Sequence, residues 1–221
     1  MQNILSDMMG TTTPNSVLNK LMENFRENGA SCISNADNAN LDGIMEGIRG
    51  ATGLQTYDEI IDYVHGQFQV RNFRSEYLAL SGFVNVEACR TGRIKGEFYD
   101  DVPESFKRWK LNNRCIYIFS NGSEESQREL FRTAQQGDLS VYVSRFFDTE
   151  QVGSKKERDS YKRIGEIIQV APSTIFFLSD LEEELEAADK AGCAVSLVIR
   201  PGNKPAEHDN RRKITSFNEI N

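Results

Sequence analysis

The sequence predicts an α/β fold in which a parallel β-sheet carries helices on both faces and receives a helical insertion. From Asp101 onward, short apolar runs alternate with amphipathic segments, an order typical of parallel sheets. An isolated apolar run at Asn3–Ser6 precedes a long region without a convincing pair of strands. These observations predict a Rossmann-like core whose first strand lies far in sequence from its neighbours.

The strands are predicted from continuous apolar runs, because a strand of a parallel sheet is covered on both faces. They are Asn3–Ser6, Cys115–Phe119, Arg145–Phe147, Ile175–Leu178, Ala194–Ile199 and, at the edge, Ile214–Phe217. Helices are predicted at Val102–Lys110, from an N-cap at Ser123 toward Gln135, at Lys156–Gln169 and at Leu181–Ala191, which stops at Gly192. The polar tail Asn203–Arg212 is predicted to be a loop.

The region between the first strand and the remaining strands is predicted to be helical. Helical patterns occur near Ser16–Arg26, Asp42–Arg49 and Tyr57–Phe68, and the polar stretch Asn28–Asn40 is predicted to be a loop. We therefore expect residues 1–13 and 97–221 to form an α/β core, and residues 14–96 to form a helical cap insertion.

Composition excludes several classes of function. The 221-residue chain has a net charge of -7 and a pI near 5.1, which argues against nucleic acid or an anionic membrane as the main partner. No stretch approaches the roughly 20 apolar residues of a membrane span, and the start lacks the features of a signal peptide. Four scattered cysteines and two histidines disfavour a disulfide framework, a zinc site and a histidine-based triad. We expect a cytoplasmic protein and, without a long apolar stripe, a monomer.

Polar residues follow three of the predicted strands and one loop. Asp7, Ser120–Asn121, Lys155 and Asp180 are expected at the edge where open α/β sheets bind ligands. Two carboxylates on adjacent strand ends repel unless a cation lies between them, and Mg²⁺ prefers oxygen ligands. The hydroxyl, amide and backbone N–H groups of Ser120–Asn121 suit a phosphate at a helix start. The set indicates phosphate chemistry.

Each fragment also has a simpler interpretation. Asp7 and Asp180 are each equally compatible with a helix cap or a turn. Ser120–Asn121 is compatible with an ordinary strand-to-helix turn, and Lys155 with a solvated lysine beside Lys156. Their combination in this order favours the functional interpretation.

Several segments in the same order resemble the haloacid dehalogenase superfamily of phosphohydrolases, and within it the enolase-phosphatases of methionine salvage. The similarity is weaker between about Asn28 and Ser81. The matching segments are Asp7–Thr12, Gly92–Glu97, Asp100–Pro103, Tyr117–Ser123, Gly153–Glu157, Phe177–Asp180 and Arg200–Asn203.

The resemblance implies a Mg²⁺-dependent phosphohydrolase that forms an aspartyl-phosphate. The family's reaction enolises a small phosphorylated substrate, 2,3-diketo-5-methylthiopentyl-1-phosphate, and removes the phosphate to give acireductone. The resemblance implies that Asp7 is the nucleophile and a metal ligand, and that Asp180 and the Met9 backbone carbonyl are further metal ligands. Ser120 and Asn121 are implied to bind the phosphate, with Lys155 as a catalytic residue that also contacts it. Glu184 is implied to be an outer-shell acid.

This sequence departs from the family pattern at three places. Met9 occupies the position of an acid that exchanges protons with the leaving oxygen and with water, which predicts slow turnover. An aromatic-rich stretch of the cap is replaced by Phe83–Arg90, and the loop Thr149–Gly153 is one residue longer. Two alternatives follow: an impaired relative that binds a phosphorylated ligand or a protein partner, and an enzyme whose acid comes from the cap, for example Glu87.

Overall fold

The computed structural model describes residues 2–70, 72–203 and 211–220. Its centre is a six-stranded sheet in the order β3-β2-β1-β4-β5-β6, in which every neighbouring pair is parallel. The predicted α/β fold is therefore confirmed. The strands are β1 (Asn3–Ser6), β2 (Cys115–Ser120), β3 (Arg145–Asp148), β4 (Ile175–Ser179), β5 (Ala194–Val198) and β6 (Lys213–Ile214).

Four of the helices that follow or precede these strands begin and end within a few residues of their predicted bounds, whereas α7 occupies Thr149–Val152, where a loop was predicted. Ser123 is the N-cap of α6, where its side chain accepts a hydrogen bond from the Ser126 N–H. The helices are α5 (Asp101–Leu111), α6 (Glu124–Arg132), α7 (Thr149–Val152), α8 (Arg158–Ile167) and α9 (Glu182–Lys190).

The register of the central strands brings the strand ends together. Ser6 pairs with Ile118 of β2 and with Leu178 of β4. Two residues beyond these partners lie Ser120 and Asp180, while Asp7 directly follows Ser6. The carboxyl ends of β1, β2 and β4 therefore present Asp7, Ser120 and Asp180 at one edge of the sheet.

Between β1 and α5 the described residues form four helices, and here two predictions need correction. The segment Asn28–Asn40 is not a continuous loop, because the first helix runs to Ser34 and the second begins at Ala39. A fourth helix, Ser75–Arg90, was not predicted as a helix at all. The helices are α1 (Asn15–Ser34), α2 (Ala39–Thr52), α3 (Tyr57–Gln69) and α4 (Ser75–Arg90).

Three hydrophobic clusters stabilise the molecule. Alternate residues of the strands point to opposite faces of the sheet, so Ile4 and Ile118 join one cluster while Leu5 and Phe119 join another. The third cluster lies within α1–α4 and includes Phe25 of α1. The helical insertion thus has a hydrophobic cluster of its own, while Val17, Leu21, Ala88 and Cys89 of α1 and α4 also join the cluster that contains Ile4.

The C-terminal segment closes one end of the core. Trp109, the single tryptophan, is fully buried, and its indole N–H donates to the Ile220 carbonyl at 3.2 Å. The predicted edge strand Ile214–Phe217 is shorter and shifted, since β6 covers Lys213–Ile214 and a 3₁₀ turn occupies Phe217–Glu219. Residues 204–210 of the predicted tail loop lie outside the described residues.

No helix in the described ranges is both long and apolar enough to cross a bilayer.

Candidate active site

Asp7 is held rigidly at the end of β1. Its backbone N–H donates to the Leu178 carbonyl of β4 at 2.8 Å, which continues the sheet by one residue. One carboxylate oxygen, Oδ1, accepts a hydrogen bond from the Met8 N–H at 2.6 Å and another from the Lys155 ammonium. Asp7 is only 3% exposed. The side chain therefore has a fixed orientation toward the strand-end edge.

Gly10 allows the turn after Asp7 to approach Asp180. Gly10 has a φ of +75°, and a Cβ at this position would lie 2.2 Å from Asp180 Oδ2. Asn203 fixes the turn from the other side, because its Nδ2 donates to the Gly10 carbonyl at 2.8 Å. Thr11 Oγ1 lies 3.5 Å from Asp180 Oδ1. The turn therefore needs a glycine for both its backbone angle and its space.

Lys155 bridges two carboxylates at the bottom of the site. Its ammonium contacts Asp7 and lies 2.8 Å from Glu184 Oε2. The same Glu184 oxygen accepts a hydrogen bond from Ser179 Oγ at 2.8 Å. Tyr161 fixes the Lys155 backbone, since its hydroxyl donates to the Lys155 carbonyl at 2.7 Å. Lys155 and Glu184 are each 4% exposed, so the ion pair is shielded from water.

Burial and charged neighbours shift the pKa values of Asp7, Asp180 and Lys155. Burial raises the pKa of the Asp7 carboxyl well above its usual range, although Lys155 acts in the opposite direction. It raises the pKa of Asp180 in the same way. For Lys155, burial opposes the charged form, but Asp7 and Glu184 outweigh it and raise its pKa. The ammonium therefore stays charged while the two aspartates lack full charge compensation.

Ser120 is the last residue of β2, and Asn121 follows it in the loop that leads to α6. The loop is held by Gln127, whose Nε2 donates to the carbonyls of Gly122 at 2.7 Å and Phe147 at 2.9 Å. Among the described residues, the side chains of Ser120 and Asn121 have no hydrogen-bond partner in the protein. Both side chains line a cleft, where they are available to a ligand.

Met9 is partly buried and packs against the hydrophobic cluster that includes Ile4. It also lines the cleft, beside the two aspartates. Its thioether cannot carry a proton at neutral pH, whereas its backbone carbonyl is independent of the side chain. Met9 can therefore serve as an oxygen ligand, but it cannot act as a general acid or base.

A cleft of about 2040 Å³ lies between the strand ends and the helical insertion. All but one of the residues that the sequence singled out for chemistry line this cleft: Asp7, Met9, Ser120, Asn121, Lys155, Asp180 and Glu184. The exception is Glu87, the suggested acid from the cap, which lies beside a different pocket and forms an ion pair with Arg90. The opposite wall includes apolar side chains that sequence analysis did not identify, among them Leu18, Met22, Phe68 and Phe73. Gln127 and Asn203 were also not predicted as loop supports, because their partners are backbone carbonyls that only the folded chain brings within reach.

The donor set fits Mg²⁺. Within residues 2–70, 72–203 and 211–220, no group of three or more His, Cys, Asp or Glu side chains is placed to hold a metal ion. Mg²⁺ requires fewer, since it is commonly bound by one or two carboxylates and keeps several waters. Asp7 and Asp180 supply two carboxylates, and Met9 supplies a carbonyl. Three acids here, Asp7, Asp180 and Glu184, face one ammonium, Lys155, so a divalent cation would balance their charge.

Comparison with known proteins agrees with this geometry. A family model described as haloacid dehalogenase-like hydrolase matches residues 1–192. The chain belongs to the haloacid dehalogenase-like hydrolase family. The resemblance noted in the sequence is thus confirmed.

Individual members of this family narrow the assignment. Enolase-phosphatase E1 of Anopheles gambiae is 32% identical over 99% of this chain and 82% of its own length. The Persephonella marina enzyme of the same name is 31% identical over 98% and 97%. The crystal structure of the UTR4 protein of Saccharomyces cerevisiae superposes with a TM-score of 0.81, at 25% identity, over 99% of both chains. The protein is therefore a phosphatase of the haloacid dehalogenase-like family, similar to enolase-phosphatases.

Proposed function

We propose that this protein is a Mg²⁺-dependent phosphomonoester hydrolase that works through an aspartyl-phosphate on Asp7. The observation that supports this most directly is the convergence of Asp7, Lys155 and Asp180 in the lining of one cleft. By similarity to enolase-phosphatases, the proposed substrate is 2,3-diketo-5-methylthiopentyl-1-phosphate, and the product is the acireductone of methionine salvage.

The chain's own residues account for the first step of phosphate removal, which follows enolisation of the substrate. The Met8 N–H and Lys155 hold Asp7 Oδ1, which orients the carboxylate for attack on phosphorus. The new bond joins an Asp7 oxygen to phosphorus, while the bond from phosphorus to the ester oxygen breaks. Ser120, Asn121 and Lys155 hold the phosphoryl oxygens. When bound, Mg²⁺ supplies positive charge that reduces the repulsion between Asp7 and the phosphate dianion.

The second step removes the phosphoryl group from Asp7 by attack of water. In the first step the leaving oxygen needs a proton, and in the second step the attacking water must lose one. Met9 cannot provide it, and general acid–base help is worth about 10²–10⁴-fold in rate. We therefore propose that turnover is slow relative to relatives that carry an acid at this position.

We propose that residues 14–96 act as the cap over this site, with residues 1–13 and 97–221 as the catalytic core. The separate hydrophobic cluster of α1–α4 supports this division. Leu18, Met22 and Phe73 offer an apolar wall for a methylthio tail. We further propose a monomer without a nucleic-acid partner, which the net charge of -7 supports, and a cytoplasmic location.

The test is phosphate release in the presence of Mg²⁺ from a panel of small phosphate esters, measured for the protein and for three variants. Asp7→Asn removes the nucleophile and abolishes release. Met9→Glu restores a proton carrier and raises the rate by about 10²-fold or more. Met9→Leu is the matched control, because it keeps the backbone carbonyl and the apolar packing, and it leaves the rate unchanged. Release that persists in Asp7→Asn would refute the covalent mechanism.

The presence of Met9 among the acidic groups favours a second candidate function, an impaired relative that binds a phosphorylated ligand or a protein partner. The same panel separates the two. Tight binding of an ester without release, in both the protein and Met9→Glu, would favour the binding function.

A further inference from the structure

One face of α4 forms the wall of the cleft nearest to the Ser120–Ser123 loop. Leu78, Gly82, Asn85 and Cys89 all line the cleft, and their spacing of four, three and four residues places them on one side of the helix. A Cβ at Gly82 would lie 3.1 Å from Ser123 Oγ. The absence of a side chain at Gly82 therefore lets α4 approach this loop, and Asn85 lies one turn further along.

Asn85 is a buried amide with a fixed orientation. It is 7% exposed, and its Oδ1 accepts a hydrogen bond from Asn24 Nδ2 at 3.4 Å. Asn24 in turn accepts a hydrogen bond at Oδ1 from Asn28 Nδ2 at 3.3 Å. This chain of amides holds the Asn85 oxygen toward α1, and it leaves the Asn85 NH₂ group on the cleft side.

The Asn85 Nδ2 atom has no partner in the described part of the chain. In the described residues, two side-chain polar atoms are both fully occluded and without a partner, Gln127 Oε1 and Arg200 Nη2. Asn85 Nδ2 is not one of them, so it is not fully enclosed by protein. A buried donor that lacks a protein partner is costly unless water or a ligand satisfies it. The geometry therefore offers a donor to whatever occupies the cleft beside the Ser120 loop.

We propose that Asn85 is a specificity-determining residue that donates a hydrogen bond from Nδ2 to a ketone carbonyl on the organic part of the phosphorylated substrate. This rests on the proposed function for its phosphate chemistry. A ketone oxygen can only accept, and it is therefore the complement of an amide group whose own oxygen is already engaged. A site built to hydrogen-bond a polar group discriminates against analogues that lack it.

The test compares acetol phosphate, which has a ketone beside the phosphoester carbon, with n-propyl phosphate, which lacks it. Binding is measured by calorimetry and turnover by phosphate release, both with Mg²⁺. Asn85→Leu, which has a similar size and no donor, should weaken binding and kcat/KM for acetol phosphate by about 10-fold. For propyl phosphate both quantities should stay within about twofold. Asn85→Ala provides the same comparison if the leucine variant does not fold.

Asn19→Ala is the matched control, because Asn19 is an exposed amide on α1 that lines the same cleft. It should leave both esters unaffected. Equal losses for the two esters, or no loss for either, would overturn the role of Asn85. If the protein hydrolyses neither ester, the proposed function fails, and the calorimetric difference between the two esters still tests Asn85 independently.

Discussion

The charge balance of the site depends on the Lys155 ammonium. This ammonium neutralises part of the charge of Asp7 and Glu184 in a region almost closed to water. Lys155→Met leaves these carboxylates uncompensated, and breaking a buried pair in this way typically costs about 3–5 kcal/mol. We expect a loss of this size in the free energy of unfolding, measured in urea at neutral pH.

Two further variants make this measurement specific. Lys156→Met removes the neighbouring lysine, whose ion pair with Glu183 is exposed, and should change stability little. The double variant Lys155→Met/Glu184→Gln should recover part of the loss, because it removes one of the uncompensated acids. If the double variant loses as much free energy of unfolding as the two single variants together, the lysine stabilises by packing rather than by charge.

At the scale of elements, the turn from β1 into α1 positions Asp7 close to Asp180, the two proposed metal ligands. Gly10→Ala places a methyl group against the Asp180 carboxylate and strains a left-handed backbone. Gly92→Ala introduces similar strain, because Gly92 has a φ of +74°, but a Cβ there would meet nothing within 4 Å. We expect both to lose about 1 kcal/mol from the backbone, and Gly10→Ala alone to lose Mg²⁺ affinity and phosphate release.

Unfolding in urea and Mg²⁺ calorimetry on both glycine variants decide this prediction. Equal metal affinity in the two would show that the approach of Asp180 to the turn does not matter for metal binding.

The helical insertion shows why some elements could not be predicted. The stretch after Arg26 has a loop-like composition, yet α1 continues because Gly29 and Ile33 extend its buried face. Gly29 is needed there for close packing, since a Cβ would lie 2.5 Å from Ile61 Cδ1. Helix α4 has no clear polar face, because the helices α1–α3 and the core cover it on several sides, so its periodicity is weak.

The sheet was easier to predict, since buried strands produce continuous apolar runs that do not depend on partners. The convergence of Asp7, Ser120 and Asp180 could be predicted from the strands, because the carboxyl ends of neighbouring parallel strands lie at one edge of the sheet. Asn85 could not be predicted as a cleft residue, since its position depends on the contact between α4 and the Ser123 loop. The catalytic and ligand-binding roles of Asp7, Ser120 and Asp180 stay predictions.

For the whole molecule, the raised pKa values of Asp7 and Asp180 predict a link between stability, pH and metal. Without metal, the folded state holds these protons more tightly than the unfolded chain, so this contribution is complete at low pH and is lost as pH rises through the folded pKa values. If Mg²⁺ binds the ionised pair as proposed, it should raise the melting temperature at about pH 7.5, with a smaller increase near pH 5, where protons compete.

Scanning fluorimetry with Mg²⁺, and with a sodium salt of equal ionic strength as control, measures this difference. Asp180→Asn should remove most of the Mg²⁺-dependent increase. An increase of equal size at both pH values would place the bound metal elsewhere.

The position of Trp109 has a practical consequence for all of these measurements. The sole indole of the chain is fully buried, is anchored to the Ile220 carbonyl and does not line the cleft. Its emission should therefore shift to the red when the C-terminal segment separates from α5, and should stay constant while ligands bind. Intrinsic fluorescence thus gives an optical signal for global unfolding that ligand titrations at the cleft leave undisturbed.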